Sequence, residues 1–232
     1  MIIHVETHDR PRYTREVSAY FRLRKTVFHD QLGWDVPVHG DEERDPLDEM
    51  PCTYALSVDA AGAVNAGIRL IPTTQTTLLD LAFDGLVPEG LHFSSPTIWE
   101  LSRFCVDRRN AGGRLPVGLG LATLELSLAN FEYARRNGIT HYITVTEQRI
   151  FELTRVFDLG CELLGHQTID GCPVVCCLIQ IDEHVRRLTE RYRPLMQARQ
   201  PSCRDATSHA PAPAASQPDR EIPVPTRRSP QA

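Results

Sequence analysis

The chain has 232 residues, of which 41% are hydrophobic and 24% are charged, so it is long enough to bury one substantial core. Its formal net charge of -5 and its pI near 6.0 provide no overall positive field, which argues against nucleic acid as a partner. Because the N-terminus lacks a signal-peptide pattern and no apolar stretch approaches about 18 residues, we expect a cytoplasmic protein without a membrane span.

The first predicted element is a helix over residues 13–30. Val17, Phe21, Arg24 and Phe28 recur at spacings of three and four, which places them on one face. That face is apolar apart from Arg24. The pattern therefore directs a guanidinium toward the core, where a charged group needs anionic partners.

A β-hairpin and a further strand are predicted next. Residues 53–59 and 63–71 alternate around an Ala-Ala-Gly turn, and Arg69 falls in the second strand. Residues 97–107 have strand character, and the loop after them leads into a long helix that ends at Gly138. The apolar face of that helix is formed by Leu121, Leu124, Leu128 and Phe131.

The remaining elements continue the alternation of strands and helices. We predict a strand over 141–146, a helix over 147–159, a buried strand over 174–181 and a charged helix from about residue 182. This order predicts an α/β protein, a three-layer α/β/α sandwich with a mixed central sheet, compatible with the GNAT-like acyltransferase fold. The order by itself says little about function.

The C-terminal segment differs in composition from the rest of the chain. From about residue 201 it is rich in Ala, Pro, Ser and Gln and has no apolar periodicity. We therefore predict one domain over residues 1–200 and a disordered tail over 201–232.

The seven cysteines are an odd number, and several stand in apolar runs such as residues 174–179. This is how reduced proteins use Cys as a small hydrophobic residue, so we expect no disulfide framework. Because Cys172, Cys176 and Cys177 have no answering Cys-x2-Cys pair and no His at finger spacing, we also expect no metal site.

Two clusters of residues indicate chemistry. In the first, Arg24, Phe28 and Trp34 precede a run dense in carboxylates over residues 41–48. An arginine on an apolar helix face beside such a run suggests a polar site built against the core, and structural ion pairing is the alternative reading.

The second cluster is the pair Glu100 and Arg103 within residues 98–106. Strict alternation would put these two side chains on opposite faces of one strand. Three readings remain open: a bulge that redirects one charge, a strand with a cleft on each side, or a charged edge strand exposed to solvent.

Together these positions resemble the signature of the LuxI-type autoinducer synthases, which are acyl-homoserine-lactone synthases. The similarity extends over about residues 1–185 and includes the surrounding segments 21–28 and 101–107. The matching positions are Arg24, Phe28, Trp34, Asp45, Asp48, Arg69, Glu100 and Arg103.

The resemblance implies an enzyme that acylates the amine of S-adenosylmethionine, closes a lactone and releases methylthioadenosine. S-adenosylmethionine is then a substrate, and no cofactor is expected. The implied catalytic residues are Glu100, as the base that accepts the ammonium proton, with Arg24 and Arg103. For S-adenosylmethionine binding, the resemblance implies Arg24, Phe28, Trp34, Asp45, Asp48, Arg69 and Arg103, which offer acidic, cationic and aromatic groups.

The acyl donor is expected to be acyl carrier protein or acyl-CoA. In GNAT-like folds the phosphopantetheine arm runs beside a central strand. The resemblance therefore implies that the arm contacts Phe104, Cys105 and Val106. The resemblance implies that Thr144 or Thr146 corresponds to a threonine that in the family affects the use of 3-oxo acyl substrates. A docking surface for acyl carrier protein, which is acidic, is expected at Arg108, Arg109, Arg114, Arg135 and Arg136, although solvated surface charges explain these residues equally well.

Two other functions compete with this one. A different GNAT-type N-acyltransferase would explain the fold, although it leaves the cluster from Arg24 to Asp48 without a purpose. A non-catalytic module that only senses S-adenosylmethionine or an acyl carrier is the alternative from another class, and turnover distinguishes it from an enzyme.

Overall fold

The computed structural model of the chain describes residues 1–87, 92–107, 120–156, 161–169, 171–182, 190 and 192. The strands are β1 Ile2–Glu6, β2 Val38–His39, β3 Glu42–Glu43, β4 Thr53–Val58, β5 Val64–Pro72, β6 Ile98–Val106, β7 His141–Glu147, β8 Cys161–Ile169 and β9 Cys172–Gln180. The α-helices are α1 Thr14–Arg24, α2 Leu78–Ala82, α3 Leu121–Arg136 and α4 Gln148–Val156. Short helical segments cover Thr7–Arg12, Lys25–Gln31, Pro46–Glu49 and Asp84–Leu86.

Seven strands form one sheet in the order β1-β4-β5-β6-β7-β9-β8. The sheet is mixed, because β6 and β7 run parallel while the other neighbouring pairs are antiparallel. Alternate residues of β4 pack in opposite directions: Leu56 joins the apolar cluster beneath α1, whereas Ala55 joins the cluster beneath α3. The two helices therefore cover opposite faces, which confirms the predicted three-layer sandwich.

The predicted hairpin, the strand after it and the long helix are confirmed as β4–β5, β6 and α3. Four strands were missed: β1, the two-residue strands β2 and β3, and β8. β1 is five residues long and includes His4 and Glu6, and β8 lies at the sheet edge with side chains exposed on both faces, so neither has a clear apolar alternation. The loop after β6, the tail over 201–232 and nearly all of the predicted last helix lie outside the described residues.

The first helix does not keep α-helical geometry over its whole predicted length. After Arg24 it continues as a π-helix over Lys25–Gln31, with Leu32 donating its backbone N–H to Val27 at 3.1 Å. Such wider turns are rare and occur often at functional sites. Arg24, the last residue of the α-helix, and Phe28, within the π-helix, are both buried. This agrees with the apolar face predicted from the sequence.

A bulge in β6 decides between the three readings of Glu100 and Arg103. Gly67 of β5 pairs with Cys105 and Arg69 pairs with Ser102, so Arg103 and Phe104 together oppose one residue. Arg103 has a φ of 55°, the left-handed conformation that an inserted residue can adopt. The bulge turns the Arg103 side chain to the α1 face, and because β6 is central, the exposed-edge reading is wrong.

The strands β6 and β7 form a fork. Their pairing ends at Leu101 and Thr144, after which β6 continues with β5 to Val106 and β7 continues with β9 to Glu147. The Thr144 hydroxyl donates to the Leu101 carbonyl at 2.9 Å, at the last pair of residues that joins the two strands.

Among the described helices, none is both long and apolar enough to cross a membrane.

One glycine permits the close packing of α1 on the bulged part of the sheet. A Cβ added at Gly67 would lie 2.5 Å from two ring carbons of Tyr20, whose hydroxyl donates to the Arg103 carbonyl at 2.8 Å. The absence of a side chain at Gly67 therefore lets Tyr20 hold the backbone of the bulge.

We expect Gly67→Ala to lower the free energy of unfolding by about 2 kcal/mol, because the Tyr20 ring has to move out of a filled space. Urea denaturation measures the change. Gly85→Ala is the control, since a Cβ there meets no atom closer than 4.0 Å. Equal stability of Gly67→Ala and the parent protein would show that Tyr20 does not require this space.

Candidate active site

The site is built around a buried network of three arginines and three carboxylates. Arg24 stands at the end of α1, Arg69 in the middle of β5 and Arg103 on the β6 bulge. Arg24 and Arg69 have no exposed surface, so their charges need partners inside the protein. Those partners come from the segment between α1 and β4, and they are Glu43, Asp45 and Asp48.

Asp48 is the centre of the network. Its carboxylate accepts both terminal nitrogens of Arg24 at 2.8 and 2.9 Å and Nη1 of Arg69 at 2.9 Å. It also accepts the Tyr54 hydroxyl and the Asp45 backbone N–H, each at 2.9 Å. These five hydrogen bonds saturate both oxygens. Asp48 therefore holds other groups in place and has no free acceptor position for a ligand.

The network determines the ionisation of its members. Burial alone would raise the pKa of Asp48, but the charge and hydrogen bonds of Arg24 and the charge of Arg69 outweigh it, so the pKa lies well below its usual value. For Arg24, burial acts to lower the pKa, but the charge and hydrogen bonds of Asp48 together with the charge of Glu43 act against it, and the pKa is raised. Both groups therefore stay charged at neutral pH.

Asp45 and Glu43 extend the network toward Arg103. Asp45 accepts Arg69 Nη1 at 2.5 Å and Nη2 at 3.0 Å, and it pairs with Arg103 Nη2 at 2.9 Å. Glu43 accepts Nε of Arg24 on one oxygen and Nε of Arg103 at 3.2 Å on the other. Arg103, whose side chain is 11% exposed, is the arginine of the network that reaches toward solvent.

Glu43 is a site residue that the sequence analysis did not single out. It belonged to the carboxylate-rich run, but nothing in the sequence distinguishes it from Asp41, Glu42 or Glu49. In the structure it lies in the short strand β3, opposite Val38, and its side chain is fully buried. Its sequence neighbours Glu42 and Arg44 are only half-buried, because adjacent residues of an extended chain face opposite sides.

The aromatic residue Phe28 lies against Arg103, and Trp34 stacks on Phe28. Their rings are stacked, with centroids 5.2 Å apart and planes inclined by 7°. The Arg103 guanidinium carbon lies 5.8 Å from the Phe28 centroid, and Phe28 is buried while Trp34 is 41% exposed. Phe28 is therefore a wall of the site, and Trp34 covers it from the solvent side.

Glu100 is held by α2 and not by the arginine network. Its two carboxylate oxygens accept the backbone N–H groups of Leu78 at 3.1 Å and Leu79 at 2.7 Å. Burial raises the pKa of Glu100, although these two N–H groups, the charge of Arg69 and the Ser102 side chain oppose the rise. Ser102 in turn accepts Nε of Arg69 at 3.2 Å, so it stands between Glu100 and the network.

The residues predicted to contact the acyl donor lie at the fork. Phe104 is partly exposed, whereas the Cys105 side chain is buried in the apolar cluster beneath α1 and Val106 packs on the α3 side. Cys105 can therefore offer only its backbone to the fork. Thr144 and Thr146 are half-buried on β7, and they follow Tyr142 on the α3 side of the sheet by alternation.

A cavity of about 310 Å³ adjoins α2, and the sequence analysis did not point to it. Its lining is rich in hydroxyl groups from the loop between β5 and α2. Leu79, which donates to Glu100, is one of its walls. The lining residues are Thr73, Thr74, Gln75, Thr76, Thr77, Leu79, Asp80, Val87, His92, Phe93 and Ser94.

The structure thus brings most of the predicted site residues into one region. Five of the charged residues are directly bonded to one another, Phe28 lies against Arg103 with Trp34 stacked on it, and Glu100 is linked to Arg69 through Ser102. The predicted docking surface is only partly described: Arg135 and Arg136 are exposed at the end of α3, while Arg108, Arg109 and Arg114 lie outside the described residues.

Comparison with known proteins identifies the family. The family model described as autoinducer synthase matches residues 9–183. The chain belongs to the autoinducer synthase family. An acyl-homoserine-lactone synthase of Agrobacterium fabrum is 32% identical over 170 residues, which cover 73% of this chain and 81% of that protein. One of Rhizobium radiobacter is 35% identical over 174 residues, or 75% of this chain and 82% of that protein.

Solved structures agree with this assignment. The acyl-homoserine-lactone synthase LasI superposes with a TM-score of 0.72 at 26% identity, over 82% of this chain and 93% of LasI. The sequence-based predictions of a LuxI-type family, of a GNAT-like fold and of an acyltransferase are confirmed. The individual roles of the site residues in this autoinducer synthase stay predictions.

We expect Asp48→Asn to lower the free energy of unfolding by about 3 kcal/mol, because two buried guanidinium groups lose the negative charge between them. Chemical denaturation at pH 7 measures the loss. The control is Asp30→Asn, which removes an exposed carboxylate paired with Lys25 and should leave the stability unchanged.

The pH dependence of stability tests the same contact. Since the pKa of Asp48 is depressed by folding, its contribution is complete above its unfolded value of 3.8 and is lost as the pH falls through the folded value. The parent autoinducer synthase should therefore lose stability below pH 3.8 more steeply than Asp48→Asn. Parallel curves for the two proteins would contradict the role assigned to Asp48.

Proposed function

We propose that this autoinducer synthase transfers an acyl group from a thioester donor to the amine of S-adenosylmethionine and then closes the homoserine lactone. The observation that carries the proposal is the position of Arg103. The bulge presents this partly exposed guanidinium to the stacked aromatic pair, beside the buried network and next to the fork. One region thus offers a charged pocket for the amino acid and an opening for the donor.

Structures of related enzymes support both substrates. One solved structure is of BjaI, a CoA-dependent acyl-homoserine-lactone synthase, with S-adenosylmethionine and isopentyl-CoA. It has a TM-score of 0.72 at 25% identity, over 82% of this chain and 88% of BjaI. Another is of TofI with an inhibitor and methylthioadenosine, with a TM-score of 0.67 at 28% identity, over 82% of this chain and 96% of TofI.

We assign direct contact with S-adenosylmethionine to the outer part of the site. Arg103 offers a guanidinium to the substrate carboxylate, and Asp45 offers a carboxylate to the ammonium. Trp34 and Phe28 offer aromatic faces, which attract a sulfonium as they attract other cations. Arg24, Asp48 and Arg69 are bound to one another and to Glu43, Asp45, Ser102 and Tyr54 inside the protein, so in our proposal they fix the position and ionisation of the outer groups.

Acyl transfer requires a neutral amine. We propose that Glu100 removes the proton from the substrate ammonium, directly or through one water, before the amine attacks the thioester carbonyl. The carbon–sulfur bond of the thioester breaks, the amide forms and the carrier leaves as a thiol. The raised pKa of Glu100 suits this step, because a base of raised pKa accepts a proton more readily.

Lactone closure needs position more than acid or base chemistry. The substrate carboxylate attacks the carbon that bears the sulfonium, and methylthioadenosine leaves with the electron pair of the broken bond. Because a sulfonium is already a good leaving group, an Arg103 contact that orients the carboxylate is sufficient. We therefore propose that no cofactor or metal takes part in either step.

The acyl donor enters, in our proposal, at the fork between β6 and β7. Its pantetheine chain lies along residues 104–106, and the acyl chain passes toward Thr144 and Thr146. We favour acyl carrier protein as the carrier, since Arg135 and Arg136 offer positive charge to an acidic protein, and acyl-CoA is the alternative. The free thiols among the described cysteines suit a reducing compartment, so the cytoplasm is our proposed location.

The proposed function predicts one characteristic product. Purified enzyme with S-adenosylmethionine should yield methylthioadenosine and an acyl-homoserine lactone, both detected by mass spectrometry. Acyl carrier protein and CoA donors carrying the same acyl chains identify the carrier. An acylated amine without lactone, or no product with any donor, would overturn the proposal in favour of a different N-acyltransferase.

The role of Glu100 is tested by Glu100→Gln. We expect kcat to fall about a hundredfold with a smaller change in the KM for S-adenosylmethionine, because the amide cannot accept the proton. The control is Leu81→Ala, which changes an exposed side chain of α2 and keeps the carboxylate. A rate for Glu100→Gln near that of the parent enzyme would exclude proton transfer by this residue.

A further inference from the structure

We propose that Thr77 and Asp80 are positioning residues that hold Glu100 in its reactive orientation through the first turn of α2. Neither residue belongs to the sequence signature of the site. Both act through the backbone N–H groups of Leu78 and Leu79, which bind the Glu100 carboxylate. This inference rests on the proposed function, in which Glu100 is the base.

The two side chains form a reciprocal cap at the start of α2. The Asp80 carboxylate accepts the backbone N–H and the hydroxyl of Thr77, both at 2.7 Å. The Thr77 hydroxyl accepts the backbone N–H of Asp80 at 3.3 Å. Such a cap satisfies two of the N–H groups that the beginning of a helix leaves without a partner.

The cap determines what remains for Glu100. With the N–H groups of Thr77 and Asp80 bound within the cap, the N–H groups of Leu78 and Leu79 are left, and each binds one oxygen of Glu100. The spacing of two successive N–H groups thereby fixes the plane of the carboxylate. A carboxylate has about four acceptor positions, so beside the two N–H groups and the Ser102 side chain one position remains for a substrate ammonium or a water.

A five-residue helix depends strongly on its cap. α2 covers only Leu78–Ala82, so it has little helical hydrogen bonding of its own to hold Leu78 and Leu79 in position. Its burial is also limited, since Leu79 is buried but Leu81 is 58% exposed. Without the cap, the two donors would lose their fixed direction, and the carboxylate would lose part of its stabilisation.

The other groups that face Glu100 do not replace these donors. Arg69 on β5 lowers the pKa of Glu100 from the arginine network, and Ser102 acts from β6 itself. On β9, burial raises the pKa of the Cys176 thiol to about 12, so this group is neutral. Asp80 is exposed and its carboxylate is bound within the cap. Loss of the α2 donors therefore raises the pKa of Glu100 further.

The test compares Thr77→Val, Thr77→Ser and the parent enzyme in the full chain. Valine keeps the shape of threonine and removes the hydroxyl, while serine keeps the hydroxyl. For Thr77→Val we expect kcat to fall roughly threefold to tenfold, with the KM for S-adenosylmethionine little changed. The acid limb of kcat/KM should move to higher pH by about half a unit or more, because the base becomes harder to ionise. Thr77→Ser should restore both.

The control is Asp59→Ala, which removes a comparable cap in the turn between β4 and β5, where Asp59 accepts the N–H groups of Ala61 and Ala63 at 2.8 and 2.9 Å. It should leave the acid limb in place. An unmoved acid limb in Thr77→Val would overturn the positioning role even if the variant is less stable. Failure of the parent enzyme to make any lactone would instead overturn the proposed function, so the two failures are distinguishable.

Discussion

The interaction on which the site depends is the bond of one carboxylate, Asp48, to two buried guanidinium groups. Arg24 comes from α1 and Arg69 from β5, and neither has any exposed surface. Two positive charges placed together in a protein interior repel each other unless a negative group lies between them. Asp48 supplies that group, and the short turn that carries it is fastened to the sheet as a result. The helix, the turn and the sheet are therefore joined by charge as much as by apolar packing.

The sheet determines how this buried charge reaches a substrate. The β6 bulge moves Arg103 to the network side, and Tyr20 holds the bulge through its bond to the Arg103 carbonyl, over the space that Gly67 leaves. Just before the bulge, at Leu101 and Thr144, β6 and β7 cease to pair with each other. A single irregular strand thus carries Glu100, whose carboxylate is held by α2, Arg103 on the same face of the sheet, and one edge of the proposed opening for the donor.

Much of the fold followed from sequence because long elements have clear apolar periods. The face of Val17, Phe21 and Phe28 was visible, and so was the intrusion of Arg24 into it. The family resemblance added Asp45, Asp48 and Arg69. Glu43 was missed because its burial depends on the pairing of β3. That strand has only two residues, which is too short to show a periodic pattern in the sequence. The direction of Arg103 was left open, since a bulge reverses the alternation from which the side of a strand is read. The partners of Glu100 were missed because they are backbone N–H groups of α2, and a pattern of side chains in the sequence does not reveal them.

The saturation of Asp48 has a consequence for how such an enzyme can diversify. Because Asp48 accepts five hydrogen bonds, its replacement by itself leaves at least one buried charge without a partner of opposite sign. Restoring the balance requires changes in the arginines at the same time. Thr144 and Thr146, by contrast, stand at the fork outside that network, and their replacement disturbs no buried ion pair. In the proposed function, in which these threonines contact the acyl chain, a change of the acyl group in evolution or in the laboratory can therefore proceed at the fork while the ionic network is inherited as a unit.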